Sequence, residues 1–85
     1  MKHHSITRKL NEFSAIKTAW RESAPITVTM DAPVSKWDIV TVYESTFTFT
    51  AVTFDVIAVD GDTVTLQRLT VADRDALGVY GKQGA

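Results

Sequence analysis

Cysteine is absent from this sequence of 85 residues. Without a thiol the chain has no disulfide framework, no thiolate ligand for a metal ion and no cysteine nucleophile. Long apolar runs are missing too: no segment approaches the roughly 20 apolar residues of a membrane span, and the residues after Met1 lack the apolar stretch of a signal peptide. The sequence therefore predicts a soluble protein that no signal peptide directs to secretion.

The chain also lacks a surplus of charge. Nine Lys and Arg residues stand against ten Asp and Glu residues, so the formal net charge is -1. This balance removes the long-range attraction that nucleic acids and anionic membranes normally require of a small binding domain. One possible basic patch remains, formed by Arg8, Lys9, Lys17 and Arg21. The patch keeps a small-barrel nucleic-acid-binding protein as the least favoured function, and we expect no membrane contact.

What is present suffices for one small folded domain. Hydrophobic residues make up 45% of the chain and charged residues 22%, which excludes a disordered tail. A chain of this length hides only about 60 to 65% of its unfolded surface, so there is no room for a second core. We therefore expect one domain over residues 1–85, with flexible tails at 1–4 and 81–85.

Apolar residues alternate with Thr between residues 37 and 69, which indicates an antiparallel sheet. Strands are predicted over 25–30, 37–43 and 47–59. The last of these must bend, because an extended run of that length would span more than about 40 Å. The set of residues that faces inward changes parity at Ala51-Val52, so we predict a bulge or a strong coil of the strand there. Asp60-Gly61 then predicts a hairpin with a type I′ turn.

One amphipathic helix is predicted over residues 6–22. Ser5 is a candidate N-cap, and Pro25 follows the end of the run. The apolar stripe of this helix contains Ile6, Leu10, Phe13, Ile16 and Trp20. Lys17 lies in the stripe, and we expect its ammonium group to reach water past the edge of the core. A short helical turn is also predicted over Thr70–Leu77, closed by Gly78.

These elements predict an α+β fold. An N-terminal amphipathic helix packs on a strongly bent sheet of four or five antiparallel strands, or on a small SH3-like barrel, and a short C-terminal helical turn follows. The run Val56–Leu66 resembles the hairpins of SH3-like small barrels. The resemblance covers this one hairpin and implies a shape, not a function.

The titratable residues do not have the spacing of a catalytic, cofactor-binding or metal site. His3 and His4 are adjacent in a terminal segment, which favours a tail over a tetrahedral metal site. Asp55, Asp60 and Asp62 lie around the hairpin without the spaced oxygen ligands of a calcium loop, so turn chemistry explains them better. We therefore expect no enzyme activity, no cofactor and no metal ion.

Large aromatic residues are concentrated on one ribbon. Tyr43, Phe47 and Phe49 are the candidates for a protein contact, because the ribbon carries more rings than one side of a small core easily hides. Core burial is favoured for Phe49, whereas Phe47 fits the core and the surface equally. We hypothesise that this ribbon and the adjoining sheet edge contact another protein by ring insertion or by strand addition.

Replacing Phe47 with a charged residue is then expected to abolish assembly and to leave the monomer folded, because a charge is costly inside an apolar contact. Light scattering measures the assembly, and circular dichroism measures the fold. Partner binding that is unchanged by the substitution would discard the hypothesis.

The predicted function is a non-catalytic protein-interaction module, acting as a small structural or accessory subunit of a larger assembly such as a bacteriophage virion. The alternative is a phage- or plasmid-encoded inhibitor that binds a host protein. The expected partner is therefore a protein, either further copies of this chain or a host protein. We expect a homo-oligomer or a hetero-assembly, located in the cytoplasm of the host cell or in the virion.

Overall fold

The computed structural model describes residues 2–46, 50–70, 72–73 and 76. Within them the chain forms an α+β fold with one helix among five strands. In chain order the elements are β1 (His3–Arg8), α1 (Leu10–Glu22), β2 (Ile26–Thr29), β3 (Ile39–Glu44), β4 (Ala51–Asp60) and β5 (Thr63–Gln67).

The strands form one curled, mixed sheet, a half-barrel, in the order β1-β3-β4-β5-β2. β1 runs parallel to β3, with His3 opposite Ile39 and Arg8 opposite Glu44, and the other neighbours are antiparallel. The expected all-antiparallel sheet is therefore wrong at this pair. The reason is the connection: β1 leads into α1, which carries the chain to β2 at the opposite edge, and no hairpin joins β1 to its neighbour.

The first strand also corrects the predicted start of the helix. Ser5 and Ile6 lie in β1, and so do the two histidines expected in a tail. Exposed and half-buried residues alternate along β1, which is the period of a strand on the rim of a sheet. Lys9, in an extended conformation with φ -67 and ψ 158, precedes the helix without a side-chain cap.

Helix α1 ends where the sequence predicts. Ser23 adopts a left-handed conformation with φ 54, and the Ala24 N–H donates to the Ala19 carbonyl in a C-terminal capping arrangement. The buried face of the helix consists of Phe13 and Ile16, with Trp20 packed beside them. Leu10, which is expected in the stripe, is the first residue of the helix and is 61% exposed.

The core lies between α1 and the concave face of the sheet. Alternate residues of the three central strands point into it, as the apolar alternation predicts. The most deeply buried apolar side chains among them are Val40, Val42, Phe54, Val56, Val64 and Leu66. Burial of these six side chains, together with Phe13 and Ile16 of α1, is the main stabilisation of the fold.

The bend in β4 lies further along the chain than predicted. Val56 pairs with Leu66 but Ala58 pairs with Thr65, so Ile57 is the extra residue of a bulge. The predicted bulge at Ala51-Val52 is wrong, because both residues pair in register with β3. Before the bulge the even-numbered residues of β4 point inward, and after it they do not, so Ala58 is exposed.

The hairpin forms between β4 and β5, with its turn shifted by one residue. Asp60 pairs with Thr63, so the central positions are Gly61 and Asp62. Only Gly61, with φ 60, has a positive φ in this turn. That combination indicates type II′, which places Gly first, and the predicted type I′ turn is wrong.

The predicted C-terminal turn lies mostly outside the described residues. Its first part is visible: the Thr70 N–H donates to Asp73 Oδ2, and the Asp73 N–H donates to Thr70 Oγ1, both over 3.1 Å. This reciprocal pair is the arrangement that begins a helix. Gly78 and the expected tail at 81–85 lie outside the described residues. The turn and the SH3-like closure of the barrel stay predictions.

Candidate protein-contact site

The two outer strands of the half-barrel, β1 and β2, each pair with one neighbour in the described sheet. Their other edges lie on the two sides of a seam, which we define as the gap between β1 and β2. The seam is the place where the described sheet leaves backbone groups without a strand partner. An unpaired strand edge is a template for the backbone of another chain.

The free edge of β2 presents the backbone of Thr27 and Thr29. The Met30 N–H donates to the Asp62 carbonyl on the β5 side over 2.8 Å. In an antiparallel ladder, alternate residues direct both backbone groups to the same side, so Val28 also faces β5 and the two threonines face the seam. Pro25 also directs its backbone toward the seam, but it has no N–H to donate. The hydrogen-bonding edge of β2 therefore ends there.

The free edge of β1 presents the backbone of its odd-numbered residues. The Ile39 N–H donates to the Lys2 carbonyl, and the Ser45 N–H donates to the Arg8 carbonyl, so the even-numbered residues face β3. Ser5 and Thr7 therefore direct their backbone groups into the seam. The alternation also places the Arg8 side chain on the concave side of β1.

Arg8 bridges the seam. Its Nη1 donates to the Thr7 carbonyl and its Nη2 to the Thr29 carbonyl, each over 3.0 Å. Its Nε lies 3.8 Å from Glu12 Oε2, one helical turn further on. One guanidinium group thus joins the free edges of both outer strands. Arginine suits this position because its planar fork offers donors in several fixed directions.

A groove lies along the free edge of β2. Its volume is about 650 Å³, and it is lined by Ile26–Thr29 on one side and by Glu12, Ala15 and Ile16 of α1 on the other. Arg8 and Thr29 line this groove and also a smaller cavity of about 200 Å³ beside β1. The hydrogen bond between them therefore separates the two spaces. We call the larger one the β2 groove.

A buried carboxylate fixes the beginning of β1. Asp38 is 3% exposed and accepts hydrogen bonds from the Lys2 N–H and His4 Nε2, each over 2.9 Å, and from the Ser35 N–H over 3.0 Å. Burial raises the pKa of this carboxyl group, but the bonds from Lys2, His4 and Ser35 together lower it more, so the pKa falls from 3.8 to about 2. Because the ionised carboxylate only accepts hydrogen bonds, His4 is the donor.

Tyr43 lies in β3, half-buried on the face opposite to the helix. β3 is flanked by β1 and β4, so strand addition at β3 has no free edge. The nearby Thr41 hydroxyl contacts His3 Nε2 over 2.7 Å and the Thr53 hydroxyl over 3.1 Å. The other two contact candidates, Phe47 and Phe49, lie outside the described residues.

The four residues of the possible basic patch do not share one face. Arg8 lies in β1 at the seam, and Lys9 precedes α1. Lys17 and Arg21 are one turn apart on the helix, and at 100° per residue they lie on the flank opposite to Glu12. The residues of the possible basic patch therefore form two separate pairs, Arg8 with Lys9 before the helix and Lys17 with Arg21 on it.

The histidines and the hairpin aspartates are not brought together. Both histidine rings are engaged by the sheet, His3 with Thr41 and His4 with Asp38. Asp60 and Asp62 lie at the exposed hairpin, whereas Asp55 is buried before the bulge. Among the residues described, no group of three or more His, Asp or Glu side chains has the geometry to hold a metal ion.

Sequence analysis missed the seam and the role of Arg8. Both depend on which strands lie at the edges of the sheet, and the sequence predicts a tail, an N-cap and the first turn of a helix over the residues of β1. One signal was present: His4, Ile6 and Arg8 alternate with small polar residues, which is the period of a strand. The first helical residue of α1 is Leu10, only two positions after Arg8.

Within the described part of the chain, no helix has the length and apolar character to cross a membrane.

Neither a protein-family model nor a curated protein sequence matches the chain. The candidate site is therefore defined by the geometry of the seam and of the β2 groove.

Proposed function

We propose that this chain is a non-catalytic protein-interaction module that binds an extended segment of a partner protein along the free edge of β2. The observation that carries the proposal is the orientation of Thr27 and Thr29, whose backbone groups face the β2 groove and not β5. An extended segment placed there would pair with this edge as an added strand.

The β2 groove supplies both parts of such an interaction. Three backbone groups are offered by the edge, namely the N–H and carbonyl of Thr27 and the N–H of Thr29, and each hydrogen bond contributes about 0.5 to 1.5 kcal/mol net. Ile16, Ile26 and Val28 add an apolar surface for side chains of the segment. Backbone bonds then supply affinity and the groove supplies selectivity.

The proposed setting is a small structural or accessory subunit of a larger assembly, such as a bacteriophage virion, present as a homo-oligomer or in a hetero-assembly. The alternative is an inhibitor that docks on one host protein. Tyr43, Phe47 and Phe49 remain proposed as a second contact, through their rings. A half-barrel whose seam receives a partner strand would also complete the small barrel that the hairpin resembles.

Binding of nucleic acid is the less favoured alternative. The division of Arg8 and Lys9 from Lys17 and Arg21 by the helix argues against one continuous basic groove. A nucleic-acid binder would show an affinity that falls steeply with salt concentration, because phosphate contacts release counterions. Strand addition to an uncharged edge depends much less on salt.

Replacing Thr27 with Pro tests the proposal at the edge itself. The substitution removes the N–H that faces the groove and places a ring there, while the ladder bonds of Val28 and Met30 to β5 are kept, because proline is tolerated at an edge strand in this orientation. Capture of partner proteins from an extract of the native host is expected to be lost with Thr27→Pro. Thr27→Val, which keeps the N–H, is the matched control and should capture the same proteins as the unsubstituted chain.

Equal capture by Thr27→Pro and Thr27→Val would contradict binding at this edge. Light scattering on the purified chain separates the two settings. A structural subunit is expected to form homo-oligomers at modest concentration, whereas an inhibitor should be monomeric or dimeric and bind one host protein.

A further inference from the structure

The β2 groove is closed at one end by a positive charge. Arg8 lies where the groove meets the smaller cavity, and its guanidinium group is held there by the Thr7 and Thr29 carbonyls. On the basis of the proposed function, we infer that the bound segment is the C-terminal end of a partner chain, and that Arg8 binds its terminal carboxylate.

The hydrogen bonds of Arg8 leave its guanidinium group able to bind a carboxylate. Two of its partners, the Thr7 and Thr29 carbonyls, are neutral oxygens, and Glu12 lies 3.8 Å from Nε with 56% of its side chain exposed. Nη1 and Nη2 each carry two hydrogens and each donates one to a carbonyl, so a carboxylate that approaches along the groove can accept from the second N–H of both while those bonds are kept. Bidentate pairs between a guanidinium group and a carboxylate are among the strong hydrogen bonds of proteins, and they fix the geometry of the bound group.

The position of Arg8 selects a chain end over an internal acidic residue. A segment that continued past Thr29 would have to pass through the Arg8–Thr29 hydrogen bond into the smaller cavity. A segment that ends there leaves the Arg8–Thr29 hydrogen bond in place. An N-terminal amine at the same place would be repelled by the guanidinium group. The segment therefore ends at Arg8 with its carboxyl group and runs parallel to β2.

The length and pattern of the segment are set by β2. Four residues of extended chain span about 13 Å, so the last four residues of the partner lie beside Ile26–Thr29. Side chains of neighbouring strands align across a sheet, so every second residue lies beside Ile26 and Val28 and faces Ile16. Apolar residues are expected at these alternate positions, and small or polar residues between them.

The test uses the full chain and a library of random heptapeptides with free carboxyl ends. Selected peptides are expected to have alternating apolar residues at their C-terminal ends, and to lose binding to Thr27→Pro. Synthesis of the same peptides with a C-terminal amide should weaken binding to the unsubstituted chain at least tenfold. Arg8→Gln should cause a similar loss for the acid form and no additional loss for the amide.

The arms of this experiment separate the two proposals. Equal binding of the acid and the amide forms by the unsubstituted chain, or selection of internal acidic residues, overturns carboxylate capture. If the binding of those peptides is still lost with Thr27→Pro, the proposed strand addition at β2 stands. If the library yields no peptide that depends on Thr27, this inference fails, and capture of host proteins by Thr27→Pro and Thr27→Val decides the proposed function. The amide arm needs no substitution, so a folding defect of Arg8→Gln does not affect it.

Discussion

Replacing Asp38 with Ala is expected to lower the free energy of unfolding by about 3 kcal/mol, because it leaves donors at the start of β1 without their acceptor. The carboxylate accepts from the Lys2 N–H, the Ser35 N–H and His4 Nε2, and it is 3% exposed. A chain of this size has a total stability of roughly 4 to 13 kcal/mol, so the loss is a large fraction of it. Urea denaturation followed by circular dichroism measures the change.

Asp31→Ala is the matched control, because Asp31 is exposed and surface substitutions usually change stability by less than about 0.5 kcal/mol. If Asp38→Ala unfolds at the same urea concentration as the control, the carboxylate does not hold β1 in place.

The same carboxylate gives the stability a defined pH dependence. Its pKa is about 2 in the folded chain against an ordinary value of 3.8. Since folding lowers this pKa, the stabilisation is complete above about pH 4 and is lost as the pH falls toward 2. The difference in unfolding free energy between the unsubstituted chain and Asp38→Ala should shrink by about 2 kcal/mol from pH 5 to pH 2.

Replacing Phe54 with Ala is expected to lower the free energy of unfolding by about 3 to 5 kcal/mol, a large fraction of the roughly 4 to 13 kcal/mol of a chain of this size. Phe54 is 1% exposed and lies at the centre of the concave face, beside Val40 in β3. Removing its ring loses the transfer free energy of the buried surface and leaves a cavity that the sheet cannot fill.

Val59→Ala is the control for Phe54→Ala, because Val59 lies in the same strand after the bulge and is 41% exposed. Its loss should stay below about 1 kcal/mol. Equal shifts of the urea midpoint for the two variants would contradict the inward orientation of Phe54 in the part of β4 before the bulge.

Local patterns predicted the elements that depend on neighbours in the sequence. The β4–β5 hairpin and β2 alternate between apolar residues and Thr, and each buries one face. The end of α1 is fixed by Pro25 and the residues just before it. These signals act over a few positions, so they are visible without knowledge of the fold.

The elements that failed depend on distant partners. Ile6 fits the spacing of the helical stripe, but its backbone belongs to a strand whose partner, β3, begins more than 30 residues later. The bulge at Ile57 belongs to the register between β4 and β5, which apolar alternation along one strand does not show. The turn type likewise depends on the pairing of Asp60 with Thr63.

The candidate site was beyond sequence analysis for the same reason. Composition makes Tyr43 a candidate for a protein contact, and that stays a prediction; the free edges of the described sheet belong to β1 and β2 and not to its strand, β3. Arg8 was identified only as part of a basic patch. Its role at the seam depends on Thr29, which is 21 residues away in the chain and adjacent across the gap.

The most direct measurement is hydrogen exchange of the β2 amides, resolved by residue, in the free chain and in a complex with its partner. In the free chain the amides of Thr27 and Thr29 should exchange fast, and those of Val28 and Met30 should be protected by β5. In the complex the two threonine amides should become protected as well. Threonine amides that exchange equally fast in both states, while the partner stays bound, would show that the partner binds elsewhere.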